Sequence, residues 1–134
     1  MTNLLETNIK TQQDLTKLNL NDTLISQIFE CFFYGTKDYS IDAKGDSGSR
    51  IREVAIEGLE KLIITCAKLK LAKFCHDQEL LTNIFGCVIQ QAVERIDRTR
   101  NIAGRIFANL LYNQYLNIGN GTKILNLKEI KLNL

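Results

Sequence analysis

The chain contains no proline and no tryptophan. Proline is the residue that most effectively breaks a helix from within, by its missing N–H and fixed φ, so its absence leaves long helices easy to build. Histidine occurs once, at His76. A single imidazole leaves little material for a histidine-based metal site or proton relay. An excess of one charge is missing too, since 17 Lys and Arg stand against 15 Asp and Glu for a net of +2, with both signs interspersed. No broad field of the kind that draws nucleic acid or a membrane surface follows from that balance, and neither is expected as a partner. No apolar run approaches the roughly 20 residues that cross a bilayer, and the first residues lack the charged-then-apolar pattern of a signal peptide. The expected setting is therefore cytosolic or nuclear, with Cys31, Cys66, Cys75 and Cys87 reduced.

What is present fits one folded domain: 134 residues, 45% hydrophobic and 24% charged. Residues 1–20 are rich in Asn, Thr, Gln and Lys with no sustained apolar period, which predicts a polar lead-in, mobile or weakly helical. From Asn21 or Asp22, either able to cap, Leu24, Ile25, Ile28, Phe29, Phe32 and Phe33 follow at helical spacing until Gly35. Residues 36–48 are turn-rich, with Asp38, Asp42, Gly45, Asp46 and Gly48, and lead to Ser49 as the expected cap of a second helix over residues 50–70. Its apolar face is Ile51, Val54, Ala55, Gly58, Leu59, Leu62, Ile63 and Cys66, leaving Arg52, Glu53, Glu57, Glu60 and Lys61 for solvent. A third helix from Asp77 carries Leu80, Leu81, Ile84, Phe85, Val88, Ile89, Ala92, Val93 and Ile96. After a polar break at residues 97–99, a fourth carries Ile102, Ala103, Ile106, Phe107, Leu110 and Leu111. A loop at residues 117–123 and a tail at 124–134, helix or strand, complete the chain.

Helices two and four repeat each other. Ser49, Arg52, Val54, Ala55, Leu59, Leu62 and Ile63 recur 48 positions later as Asp97, Arg100, Ile102, Ala103, Phe107, Leu110 and Leu111. Helices one and three match better at an offset of 52, with Ile28, Phe29, Phe32 and Phe33 opposite Leu80, Leu81, Ile84 and Phe85, because the first unit carries the longer connection. Self-similarity near fifty residues is the mark of stacked helical hairpins. The expected fold is all-α, HEAT- or armadillo-like, with two hairpins at residues 21–70 and 77–114, a lead-in at 1–20 and a tail at 115–134. Two units are fewer than the three or so a solenoid needs to cover itself, so exposed ends and self-association through them are expected. Ala55 and Ala103 are small residues where a paired helix must come close. Arg52 and Arg100 are placed to reach carboxylates such as Asp46 and Asp97.

The Asp or Ser, Arg, Ala, Leu, Leu pattern resembles the second helix of HEAT repeats. The connection and its flanks, Asp38-Tyr39, Asp42, Gly45-Asp46, Gly48-Ser49, Arg52-Glu53 and Ala55, are similar to the C-terminal part of tubulin-folding cofactor D. Gln90-Gln91-Ala92, Glu94, Ile96-Asp97-Arg98 and Arg100 resemble the corresponding later segment, so that the likeness spans about residues 24–112. Ser47 and Arg50 depart from it, standing where the family usually has an apolar and an aromatic residue. The resemblance implies a non-enzymatic cytoplasmic chaperone, associated with microtubules, that holds β-tubulin after its release from the chaperonin. It implies action with other tubulin-folding cofactors, stimulation of tubulin GTP hydrolysis, and an Arf-like small GTPase as a further partner. Candidate partner-contacting residues are Asp38, Tyr39, Asp42, Asp46, Arg50, Arg52, Arg98 and Arg100.

Other patterns weigh less. Asp38, Asp42 and Asp46 lack the alternating ligands and closing Glu of a calcium loop, and turn chemistry accounts for them. Cys75-His76 with Cys66 and Cys87 lacks the paired spacing of a structural zinc site. No glycine pair here is followed by the Lys-Ser or Lys-Thr of a phosphate loop. Arg95, Arg98, Arg100 and Arg105 form a basic cluster suited to an acidic partner or to Glu94 and Asp97 beside it. No cofactor and no metal are expected. The alternatives to a tubulin cofactor are a generic HEAT scaffold and, from another class, a small metal-dependent enzyme.

Overall fold

The computed structural model describes residues 21–118. The polar lead-in at residues 1–20 and most of the tail, residues 119–134, lie outside the described residues. Among the described residues five helices and a minimal hairpin follow in order: α1 Asp22–Gly35, β1 Ile41–Asp42, β2 Gly45–Asp46, α2 Gly48–Lys68, α3 Ala72–Cys75, α4 Gln78–Ala92 and α5 Asp97–Tyr112. The fold is all-α, two helical hairpins packed side by side, with α1 against α2 and α4 against α5. α2 is the common element, touching α1, α3, α4 and α5.

Local chemistry sets the helix ends. Asn21 caps α1, its Oδ1 accepting from the Leu24 amide at 2.9 Å, and Asp77 caps α4 by accepting from the Leu80 amide at 3.1 Å. At the far end of α2, Lys70 adopts φ 57°. That left-handed residue lets the Leu71 amide reach the Cys66 carbonyl at 2.9 Å and the Lys70 amide the Ala67 carbonyl at 3.1 Å, closing the last carbonyls and turning the chain into α3.

Three boundaries differ from the sequence reading. α2 begins at Gly48, so Ser49 lies inside it and Asp46 takes the cap's work, its Oδ1 accepting from the Ser49 amide at 2.9 Å. α4 ends at Ala92, which leaves Val93 and Ile96 outside the helix they were assigned to. α5 begins at Asp97, so residues 97–99 form its first turn rather than a break.

The core runs through both hairpins and includes Phe29, Ile56, Leu59, Ile63, Phe74, Leu81, Ile84, Phe85, Val88, Ala103, Ile106 and Leu110, closed at one end by Leu116 and Ile118. Ala55 and Ala103 are both buried, as equivalent positions of a repeat should be. Ile51 and Val54, expected inside, are 48% and 64% exposed. Arg52 and Glu53 point at the second hairpin. A helix turns about 100° per residue, which carries Val54 round to the side that no described element covers.

α1 and α2 come close at Gly58, where a Cβ would stand 2.3 Å from a ring carbon of Phe32. In an open helix Gly→Ala stabilises by about 0.5–1 kcal/mol. Here the added methyl forces the ring aside, and Gly58→Ala is expected to destabilise by about 1–3 kcal/mol. Denaturant unfolding of Gly58→Ala and of Gly58→Ala with Phe32→Leu tests this: the shorter side chain should restore part of the loss.

Candidate partner-binding site

The connection between α1 and α2 is held by hydrogen bonds to its own acidic residues. Asp38 accepts from the Ser40 amide at 2.9 Å and Asp42 from the Lys44 amide at 2.7 Å, two Asx turns, one just before the short β1–β2 ladder and one at its connection. Gly45 turns the ladder at φ +119°, a conformation that L side chains rarely adopt. The loop closes where the Gly48 amide donates to the Ser40 carbonyl at 2.9 Å. A Cβ on Gly48 would meet the Asp38 backbone carbonyl at 2.3 Å, so only glycine fits at this crossing.

One side chain anchors the loop to the body of the protein. Arg52, in the first turns of α2, is fully buried. Its Nη1 donates to the Asp38 carbonyl at 2.8 Å and to Asp46 Oδ1 at 3.2 Å, and its Nη2 to Asp46 Oδ2 at 2.9 Å, a two-pronged pair that suits the planar guanidinium. Its Nε donates to Gln91 Oε1 at 3.0 Å, and Glu94 Oε1 lies 3.7 Å from Nη2. The Tyr39 ring covers the remaining face, its centroid 4.1 Å from the guanidinium carbon. Gln91 Nε2 in turn donates to the Tyr39 hydroxyl at 3.4 Å. The guanidinium thus gathers three loop residues and the end of α4 around one buried charge.

A second ionic contact joins α2 to α5. Glu53, 5% exposed, accepts from Arg98 Nε at 3.0 Å and from the Thr99 hydroxyl at 2.6 Å. Farther along, Glu60 accepts from Asn109 Nδ2 at 2.9 Å. No buried side-chain N or O among the described residues lacks a hydrogen-bond partner. The polar seam is satisfied, the condition under which buried polar groups hold one arrangement rather than several.

Protonation follows from these contacts. The Arg52 hydrogen bonds hold the Asp46 carboxyl below its ordinary 3.8. Burial pushes Glu53 up from its ordinary 4.5, but the Arg98 and Thr99 hydrogen bonds and the Arg98 charge together outweigh it and the carboxyl ends lower. Both groups bind a proton more readily in the unfolded chain. Their stabilisation is therefore complete above the unfolded values near 4 and is lost as pH falls through them towards the lower folded values. The melting temperature should stay level from pH 7 to about 5 and fall below about 4, with Asp46→Asn and Glu53→Gln each flattening the acid limb. A wild-type limb that the two variants leave unchanged would reject this assignment.

The candidate residues fall into three groups. Tyr39 at 49% exposure, Asp42 and Arg50 face solvent, as does Ile41 beside them at 79%. Arg52 and Asp46 meet each other and carry the loop, and Asp38 contributes its carbonyl to that contact. Arg98 is engaged by Glu53, and Arg100 by Asp97 and by the carbonyls of Glu94 and Arg95. The sequence reading missed Gln91 and Glu94 as parts of this network. A glutamine at helical spacing from the buried Ile84 and Val88 was the signal available for Gln91, and Glu94 offered none by spacing.

The cysteines do not join this site. Burial pushes the Cys66 thiol up to about 12 and raises Cys87, so neither supplies a thiolate at neutral pH. Among the described residues no group of three or more His, Cys, Asp or Glu is placed to hold a metal ion, and no helix is long and apolar enough to cross a membrane.

Residues 82–132 match the family model described as "Tubulin folding cofactor D C terminal", a stretch that takes in most of α4 and all of α5. The curated "Tubulin-specific chaperone D" of Dictyostelium discoideum is 29% identical over 118 residues, covering 77% of this chain and 8% of that relative. The chain is similar to the C-terminal region of tubulin-folding cofactor D. The family match also extends beyond the likeness read from the sequence, which stopped near residue 112 and had nothing to place after residue 115. It does not include the 38–48 loop, so the matched segment is the second hairpin that packs behind the loop. No solved structure matches.

Proposed function

We propose that the chain acts by binding protein, as a cofactor D-like element in assembly of the α/β-tubulin heterodimer after the chaperonin. On this reading it contacts β-tubulin or its cofactor complex in the cytosol, near microtubules, alongside other tubulin-folding cofactors and an Arf-like small GTPase. Its contribution to tubulin GTP hydrolysis comes through that complex rather than through residues of its own. The observation that carries the reading is the anchored loop: Arg52 holds a connection that would otherwise fluctuate, so that Tyr39, Ile41 and Asp42 project from a fixed base. Preorganised loops bind with less entropy loss than ones that must order on contact. Arg50, exposed on the turn that follows, adds a charge beside them, and Arg98 and Arg100 offer a second, basic edge to an acidic partner.

Pull-down of β-tubulin by the folded, monomeric chain tests the proposal. Retention that is lost in Ile41→Asp and in Tyr39→Ala supports it. Absence of binding by a folded sample overturns direct contact with tubulin. Binding that survives scrambling of residues 39–45 moves the contact elsewhere and favours a generic HEAT scaffold.

A further inference from the structure

Two side chains that shape the loop of the first hairpin belong to the second. Gln91 is fully buried at the end of α4, and its amide works in both directions: Oε1 accepts from Arg52 Nε at 3.0 Å while Nε2 donates to the Tyr39 hydroxyl at 3.4 Å. Glu94, on the turn that leaves α4, approaches the same guanidinium from another side at 3.7 Å. Asp46 occupies the remaining edge and simultaneously caps α2 through the Ser49 amide. Lifting the end of α4 away from α2 would thus strip Arg52 of its Nε partner and Tyr39 of its hydroxyl partner together. Hydrogen-bonding groups buried in this way cannot be released singly without leaving others unpaired.

We propose that Gln91 and Glu94 are positioning residues for the 38–48 loop, and that loop shape and the packing of one hairpin on the other form a single coupled element. A protein partner that seats on the loop in this shape stiffens the joint between the hairpins, and a partner that pries the hairpins apart frees the loop. This rests on the loop being the contact surface, and adds its regulation: the second hairpin sets whether the loop is competent. Coupling of this kind is reciprocal, so a perturbation on either side is felt on the other.

The test is amide hydrogen exchange across the full chain, with no partner added. In Gln91→Leu the amides of Ser40, Lys44 and Gly48 should exchange at least tenfold faster, while those in the middle of α1 stay as in the unaltered chain. Gln91→Glu keeps an acceptor for Arg52 Nε and should restore most of the protection. Asn109→Ala removes the Glu60 hydrogen bond at the other end of the seam between hairpins and should leave the loop amides unchanged. The reciprocal variant Asp46→Asn should speed exchange at the end of α4. Should Gln91→Leu not fold, Glu94→Ala, at a partly exposed position, should speed the loop amides several-fold. Loop exchange that is unmoved by the Gln91 and Glu94 variants, or accelerated as much by Asn109→Ala, overturns the proposal. Because no tubulin enters the measurement, that failure is separate from failure of the pull-down.

Discussion

Arg52→Met is expected to cost about 3–5 kcal/mol of unfolding free energy, because several hydrogen bonds to one fully buried charge, each typically worth about 1.5–3 kcal/mol, are lost together. Methionine fills much of the volume but leaves Asp46, now without its counter-charge, beside Glu94, and leaves Gln91 Oε1 and the Asp38 carbonyl without their donor. Arg52→Lys should recover only part of that, because an ammonium keeps the charge but not the fork that meets Asp46 through two nitrogens, nor the flat face under Tyr39. The repeat supplies an internal control. Arg100 stands 48 positions later in an equivalent turn of α5, but its side chain is 45% exposed. Arg100→Met should therefore cost no more than about 1 kcal/mol, as exposed pairs do. Denaturant unfolding of the three variants checks both figures. Equal costs at Arg52 and Arg100 would mean that burial behind α4 adds nothing.

Phe85→Ala is expected to cost a similar amount, about 3–5 kcal/mol, for a different reason. Phe85 is 1% exposed at the middle of α4, and its ring meets Phe107 of α5 edge to face, 86° between planes and 5.5 Å between centroids. Truncation removes the whole ring from the contact between the helices of hairpin two and leaves a cavity that α4 and α5 cannot both close. Phe85→Leu, which keeps most of the volume, should cost less than half as much. Thermal unfolding of the pair decides between loss of volume and loss of the edge-to-face contact: a cost for leucine equal to that for alanine would place the stabilisation in the rings themselves.

Much of this architecture is visible from periodicity. The apolar stripes of α1, α4 and α5 lie where the 3.6-residue spacing puts them, and Asn21 and Asp77 cap as their side chains allow. The repeat predicts Ala55 and Ala103 as buried partners, and both are. What periodicity could not carry was the charged part of α2. Arg52, Glu53 and Glu60 read as solvent-facing because charge is costly to bury, yet each faces the second hairpin, where residues 39 to 49 positions away along the chain meet it. Nothing local distinguishes them from Lys61. Ile51 and Val54 failed in the opposite sense: their faces match the stripe, but no described element lies over them. The candidate site divided in the same way. The loop itself was legible from its turn residues, whereas its anchor depended on Gln91 and Glu94, whose relation to Arg52 exists only once the hairpins are packed.

Stacked-repeat proteins often unfold piecemeal, each unit held only by the next, so that one end can melt while the other persists. The position of α2 works against that here. Since it forms one wall of the first hairpin and also carries α3, α4 and α5, neither hairpin can open without stripping the other of its main neighbour. A chain assembled from repeated units should accordingly lose its structure as one body, in a single all-or-none transition that is the same whether followed by helix content or by the environment of Tyr39.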